Sequence, residues 1–151
     1  MNKLLIKYWA PVILWMGFTF LMSTGAFSAA NTSLMVEPIL KFLFPSISPH
    51  MLHLVHGVIR KLAHLTEYFV LGLLLFRAFK GDSTESHGWR WALSSITIVA
   101  LFAASDEFHQ TFVATRTPSI VDVGIDTIGG ALALCISSLV HFHRRRKKAL
   151  P

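Results

Sequence analysis

Charge is the scarcest property of this chain. Between Lys7 and Glu37 there is no charged residue at all, and over 151 residues only 15% are charged. A soluble domain carries about a quarter. The same chain is 53% hydrophobic, with twelve Phe and four Trp, and its mean hydropathy is +0.55. That balance excludes an ordinary water-soluble domain. Cysteine is nearly absent too: Cys135 stands alone inside an apolar run, so no internal disulfide framework exists. No glycine-rich phosphate loop, serine nucleophile elbow or HExxH pattern occurs. The net charge of +6 resembles a nucleic-acid signal until it is located. Five of the fourteen Lys and Arg residues fall in residues 144–148, beside an apolar run. Such a block is a cytoplasmic topology anchor, and no nucleic-acid partner is expected.

What is present is a series of apolar runs long enough to cross a bilayer, which takes about 20 residues. They cover residues 8–23, 60–79, 89–112 and 120–142. Lys3, Lys7 and the small residues 26–30 also fit a cleaved signal peptide, but Trp9 and Trp15 favour a retained helix. Residues 80–88 read as a polar loop, and Thr117-Pro118 as a turn. Residues 27–58 divide at Pro45 and Pro49. One helix is expected to start at a cap within residues 31–33, with Pro38 in about its first turn, and a second short one spans residues 51–59. Both are too short to cross and suit an interface. The fold expected is therefore all-α. It is a polytopic membrane protein with about four transmembrane helices and short amphipathic helices in the first extracytoplasmic loop. Residues 1–143 form one membrane domain and 144–151 a basic cytoplasmic tail. Gly124, Gly129 and Gly130 permit close helix packing in the last span.

Positive charge sets the orientation. Lys3, Lys7, Arg77, Lys80, Arg90 and the tail fall on one side, against Lys41, Arg60, Lys61 and Arg116 on the other. The excess places both termini in the cytoplasm of a multi-pass inner-membrane protein. Three charged clusters then share the outer side. Helix rise separates Asp106 from Trp91 by about 22 Å and Asp126 from Phe142 by about 24 Å. In a core about 30 Å thick, these carboxylates are sunk below the outer surface. Glu67 has a matching depth, which predicts one outward-facing pocket.

An ionisable group at that depth marks a functional site by default. Arg60, His64 and Glu67 share one helix face at i, i+4, i+7. Asp106, His109 and Gln110 share another, with Glu107 turned about 100° away. Asp122 and Asp126 are one turn apart, with Arg116 just before them. Five carboxylates face three permanent positive charges, so an unneutralised surplus remains. In one reading, Glu67, His64, Asp106 and His109 supply acid–base chemistry, while Arg60, Lys61 and Arg116 hold an anionic group. Glu107, Gln110, Ser119, Asp122 and Asp126 support them. Arg60 or Arg116 is then expected within salt-bridge reach of Glu67, Asp106 or Asp126. In a second reading the same charges only lock the helices together, or dock a partner. A third is a proton-coupled carrier, for which four spans call for a homo-oligomer. Metal ligation by His64, His109 and carboxylates lacks a local motif, and no metal or cofactor is implied. His50, His53 and His56 drift around a helix and read as interfacial.

These residues resemble the VanZ-like family of bacterial membrane proteins. The resemblance lies in Arg60-Lys61-Leu-Ala-His64-Leu-Thr-Glu67-Tyr68, in Asp106-Glu107-Phe-His-Gln110-Thr-Phe112 with Arg116 and Ser119, and in Asp122-Val-Gly-Ile-Asp126-Thr-Ile-Gly129-Gly130. It extends over about residues 10–140, including Trp15 and Ser23-Thr24. Ala114-Thr115 replaces the Pro-Gly often found before the arginine, and Asp126 replaces a frequent Asn, adding negative charge. The resemblance implies an envelope function. The family's namesake is associated with low-level resistance to teicoplanin, an acylated glycopeptide acting at the outer leaflet. The leading expectation is binding or modification of an envelope lipid or cell-wall precursor headgroup. Whether a reaction occurs is left open.

Overall fold

A computed structural model describes residues 3–83 and 88–148, with backbone alone for 144–148. Of the loop expected over residues 80–88, positions 84–87 lie outside the described residues. Five α-helices follow one another: α1 (Lys3–Met22), α2 (Ala29–Leu43), α3 (Pro49–Lys80), α4 (Gly88–Gln110) and α5 (Ile120–Lys148). A single 3₁₀ turn, Gly25–Phe27, joins α1 to α2. Among the described residues there is no strand. α1, α3, α4 and the Ile120–His143 part of α5 are long and apolar enough to cross a membrane. α5 runs on into the basic segment that the sequence set apart as a tail.

The helix ends are written in local chemistry. Ser28 caps α2 by accepting from the Asn31 amide, so the cap lies ahead of residues 31–33 and Pro38 sits well inside the helix. Ser48 caps α3, with Pro49 in its first turn, where a missing N–H costs nothing. Gly81, with φ +52°, closes α3 by donating its amide to the Arg77 carbonyl. At that end the Tyr8 hydroxyl donates to Asp82, and Lys7 lies 3.6 Å away. That hydrogen bond, with Lys7 beside it, holds the Asp82 carboxyl below the ordinary aspartate range.

Residues 51–59 are not a separate interfacial piece, as expected, but the first turns of α3. The helix continues through Arg60 and Lys61 because both find partners, on residues 27 and 32 and on Asp122. At 32 residues, α3 is about 48 Å long. It therefore outreaches a hydrocarbon core of about 30 Å, and its first turns carry α2 at the charged end of the bundle.

α3 is the hub, packing on α5, α4, α1 and α2. Its core contacts are Tyr68, Leu71 and Leu75, with Val12, Val99 and Ala103 from α1 and α4. Trp15 of α1 donates its indole N–H to the Glu67 carbonyl at 2.9 Å. α3 and α5 meet backbone to backbone. A Cβ on Gly72 would lie 2.9 Å from the Gly130 carbonyl oxygen, and one on Gly129 would collide with that of Leu65. Gly124 faces open space and takes no part in this contact. The close approach puts Asp126, one turn before Gly130, directly beside His64.

Candidate functional site

Helix α1 ends inside the protein, which leaves carbonyls with no intrahelical donor. Arg116, from the connection between α4 and α5, supplies it. Its Nε and Nη2 donate to the Thr24 carbonyl at 3.1 and 3.0 Å, and Nη2 also donates to the Met22 carbonyl. The guanidinium is buried, and burial lowers its pKa; arginine begins so high that it stays charged. Arg60 works similarly on the 3₁₀ turn. Its Nη1 donates to the Phe27 carbonyl at 3.1 Å and to the Thr32 hydroxyl at 3.2 Å. Thr32 in turn bonds the Ser28 carbonyl and meets His56 Nε2 at 3.1 Å. Two arginines thus tie the α1–α2 connection to the bundle. Among the described residues neither forms an ion pair with Glu67, Asp106 or Asp126. In place of the expected salt bridge, Arg60 Nη1 and Arg116 Nε and Nη2 are drawn to carbonyls of residues 22, 24 and 27.

Other predicted residues form a second clamp. Glu107 turns toward the start of α5, where its Oε2 accepts from the Ser119 amide at 2.7 Å. Ser119 itself caps α5 by accepting from the Val121 amide. Gln110 Nε2 donates to Glu107 Oε1 at 3.3 Å and to Asp106 Oδ2 at 3.4 Å. Lys61 pairs with Asp122 at 2.7 Å in a half-exposed position.

The remaining acidic groups have fewer donors; Asp106 and Asp126 are the most deeply buried carboxylates, and Glu67 is half-buried. Asp126 is 0% exposed, and its Oδ1 is 3.5 Å from His64 Nδ1. Neither Asp126 oxygen completes a hydrogen bond. The hydroxyl of Tyr68, also fully buried, has no hydrogen-bond partner among the described residues. Asp106 is 2% exposed and keeps Oδ1 unbonded; Ser23 Oγ faces its carboxyl short of hydrogen-bond geometry. The Glu67 carboxylate forms neither a hydrogen bond nor an ion pair with any described residue.

Above this floor is a partly open cavity of about 150 Å³. Glu67, Asp106 and His64 line its inner end, with the hydroxyls of Thr19 and Ser23. Arg60, Arg116, His56 and Thr32 line the end beneath α2, and Met22, Phe27, Val36 and Ile59 supply apolar walls. The sequence reading placed His56 at the interface and Thr32 in a helix cap, and assigned neither to the site. The signal was there in a polar face shared by Thr32 and Ser28 one turn apart, but it requires a partner across 24 residues. Lys61 and His109 stand outside the cavity. His109 stacks on Phe20, with ring centres 4.6 Å apart. Among the described residues, no three His, Cys, Asp or Glu side chains are placed to share a metal ion.

The arrangement lines one cavity of a four-span bundle with carboxylates, hydroxyls, imidazoles and two guanidinium groups. No curated protein and no solved structure matches the chain. A model of the VanZ/LLP1 family matches residues 8–141, which takes in all three charged motifs and the helices that bring them together. The chain is a VanZ-like membrane protein and belongs to the VanZ/LLP1 family.

Proposed function

We propose that this protein binds the polar headgroup of an envelope lipid, or of a lipid-linked cell-wall precursor, at the extracytoplasmic face of the bacterial plasma membrane. The cavity carries this reading. About 150 Å³ admits a small polar group but not acyl chains. Val36 and Ile59 line it, and the neighbouring surfaces of α2 and α3 expose Met35, Ile39, Val58 and Leu62, along which chains can lie. Within the cavity Glu67 and His64 are the groups that would exchange a proton with the headgroup, and Asp126 lies 3.5 Å from the imidazole Nδ1. A pocket holding a precursor headgroup would also alter access by an acylated glycopeptide, which links the reading to teicoplanin susceptibility. The scaffold reading keeps one part of the network. Arg116 and Glu107 are committed to backbone groups and hold the frame.

Filling the cavity tests the proposal. Ala63 lines it while remaining exposed, so Ala63→Leu takes up space without disturbing the core. Native mass spectrometry of the detergent-purified protein is expected to show a retained lipid in wild type and its loss in Ala63→Leu, at unchanged melting temperature. Identical lipid retention in the two proteins overturns the reading. Orientation is read separately, by labelling Ser83→Cys and Thr117→Cys in intact cells. Thr117→Cys is expected to react with a membrane-impermeant reagent and Ser83→Cys to be protected. The reverse pattern would place the cavity on the cytoplasmic side.

A further inference from the structure

The sequence assigns Arg60 and Arg116 to an anion, yet the structure spends much of their donor capacity on carbonyls of residues 22, 24 and 27. The unmet need in the cavity is of the opposite kind. Among the described residues, the half-buried Glu67 carboxylate has no hydrogen-bond or ion-pair partner, and the buried Asp106 Oδ1 and the hydroxyls of Thr19 and Ser23 complete no hydrogen bond. Asp106, Thr19 and Ser23 are each 2% exposed, and all three line the cavity beside Glu67. Acceptors buried in this way are costly unless a donor reaches them.

We infer that the headgroup this cavity takes carries a primary ammonium group, seated between Glu67 and Asp106 at the inner end. The inference rests on the headgroup-binding reading and names its chemistry. An ammonium has three N–H donors and one positive charge, and no acceptor. It therefore suits two carboxylates flanked by hydroxyl oxygens. A quaternary ammonium has the charge but no donor, and a polyol has donors but no charge. At the other end, Arg60 Nη2 and Nε and Arg116 Nη1 make no hydrogen bond to a described residue, and these N–H groups face an attached phosphate. The whole ligand is then a zwitterion: its ammonium lies deep and its phosphate under α2.

The test is lipid competition read by native mass spectrometry. Purified protein is mixed with equimolar phosphatidylethanolamine, phosphatidylcholine and phosphatidylglycerol of matched acyl chains. The ethanolamine lipid is expected to be retained about tenfold over the other two, the scale of one charge-assisted hydrogen bond. Glu67→Gln and Asp106→Asn are each expected to erase that preference at unchanged melting temperature, since both amides keep the side-chain shape. Glycerophosphoethanolamine is a soluble arm. Its displacing the lipid at millimolar concentration assigns recognition to the headgroup itself, and a failure to displace it at any concentration assigns recognition to the membrane-anchored form. Preference for phosphatidylglycerol, equal retention of all three, or an unaltered ethanolamine preference in both variants overturns the ammonium and leaves a headgroup pocket standing. Retention no greater than in Ala63→Leu overturns the pocket as well.

Discussion

Two halves of one polar network, within a few turns of each other, behave oppositely. In the frame, every charged group ends on a partner. Arg116 is on Met22 and Thr24, Glu107 on the Ser119 amide, and Lys61 on Asp122. On the floor, the half-buried Glu67 carboxylate and one oxygen of the buried Asp106 bond no described residue, and Asp126 has only a histidine at ion-pair distance among them. A network evolved only for stability has little reason to leave its deepest members least satisfied, because those are where an unmet acceptor costs most. The contrast separates positions that hold helices together from positions that the proposed headgroup binding would use. It also divides what substitutions should do.

The largest effect is expected at Arg116. Removing its side chain leaves the part-buried Met22 carbonyl without its donor and takes two of three donors from the Thr24 carbonyl, which keeps the Phe27 amide, at about 1–3 kcal/mol for each hydrogen bond to the charged group. Arg116→Gln should therefore lose about 3 kcal/mol or more and deplete folded protein in the membrane, as measured by detergent-solubilised yield and melting temperature. A variant of wild-type yield would move Arg116 from the frame to the floor and erase the division.

Next comes the helix contact that sets the floor. Gly129→Ala drives a methyl into the Leu65 carbonyl and pushes α5 off α3 beneath His64. Overpacking of this kind costs about 1–3 kcal/mol. Ligand retention should fall with stability, since the His64–Asp126 approach depends on the same contact. Gly124→Ala, in open space, is the matched control and should change neither.

Glu107→Ala sharpens the comparison within one helix turn. It removes an acceptor from the Ser119 amide and a partner from Gln110, for an expected loss of about 1.5–3 kcal/mol. Glu107→Gln retains an oxygen for the amide and should recover most of that loss. Thermal melting of the two variants decides it. Recovery marks Glu107 as a cap, whereas equal losses would mean that its charge matters.

The division between frame and floor was only half legible in the sequence. The floor was visible because ionisable residues in apolar runs announce themselves. Glu67, Asp106 and Asp126 needed no more than helix periodicity and rise to be placed at one depth. The frame was misread because a guanidinium near carboxylates looks like their counter-ion. Its true partners are backbone carbonyls at residues 22, 24 and 27, which exist only because α1 ends inside the protein. That is a tertiary fact, since nothing in the composition of residues 20–27 says that the helix end is buried. The same holds for Thr32 and His56, unremarkable until α2 folds over α3. Helix existence followed from apolar length. The error of continuity at residue 60 came from treating Arg60 and Lys61 as a boundary when each had a partner that let the helix pass.

The smallest effect on stability, and the most discriminating one, is expected at Glu67. Its side chain bonds nothing, while its backbone carbonyl, which does serve the fold, is untouched by substitution. Glu67→Gln conserves volume and places an amide where the carboxylate was. With no partner lost, folding free energy should change by no more than about 0.5 kcal/mol, the range of substitutions away from structural features. The pairing of outcomes therefore separates the two halves cleanly. At Arg116 stability and function should fall together, whereas at Glu67 function should fall alone. The measurement is melting temperature and lipid retention for Glu67→Gln, Arg116→Gln and the double variant. Because Glu67 and Arg116 share no bond, their stability effects should add, and the double variant should melt where Arg116→Gln does. Rescue of stability in the double variant would falsify the division. It would show that the two charges stabilise each other at a distance and that the floor, like the frame, serves the fold.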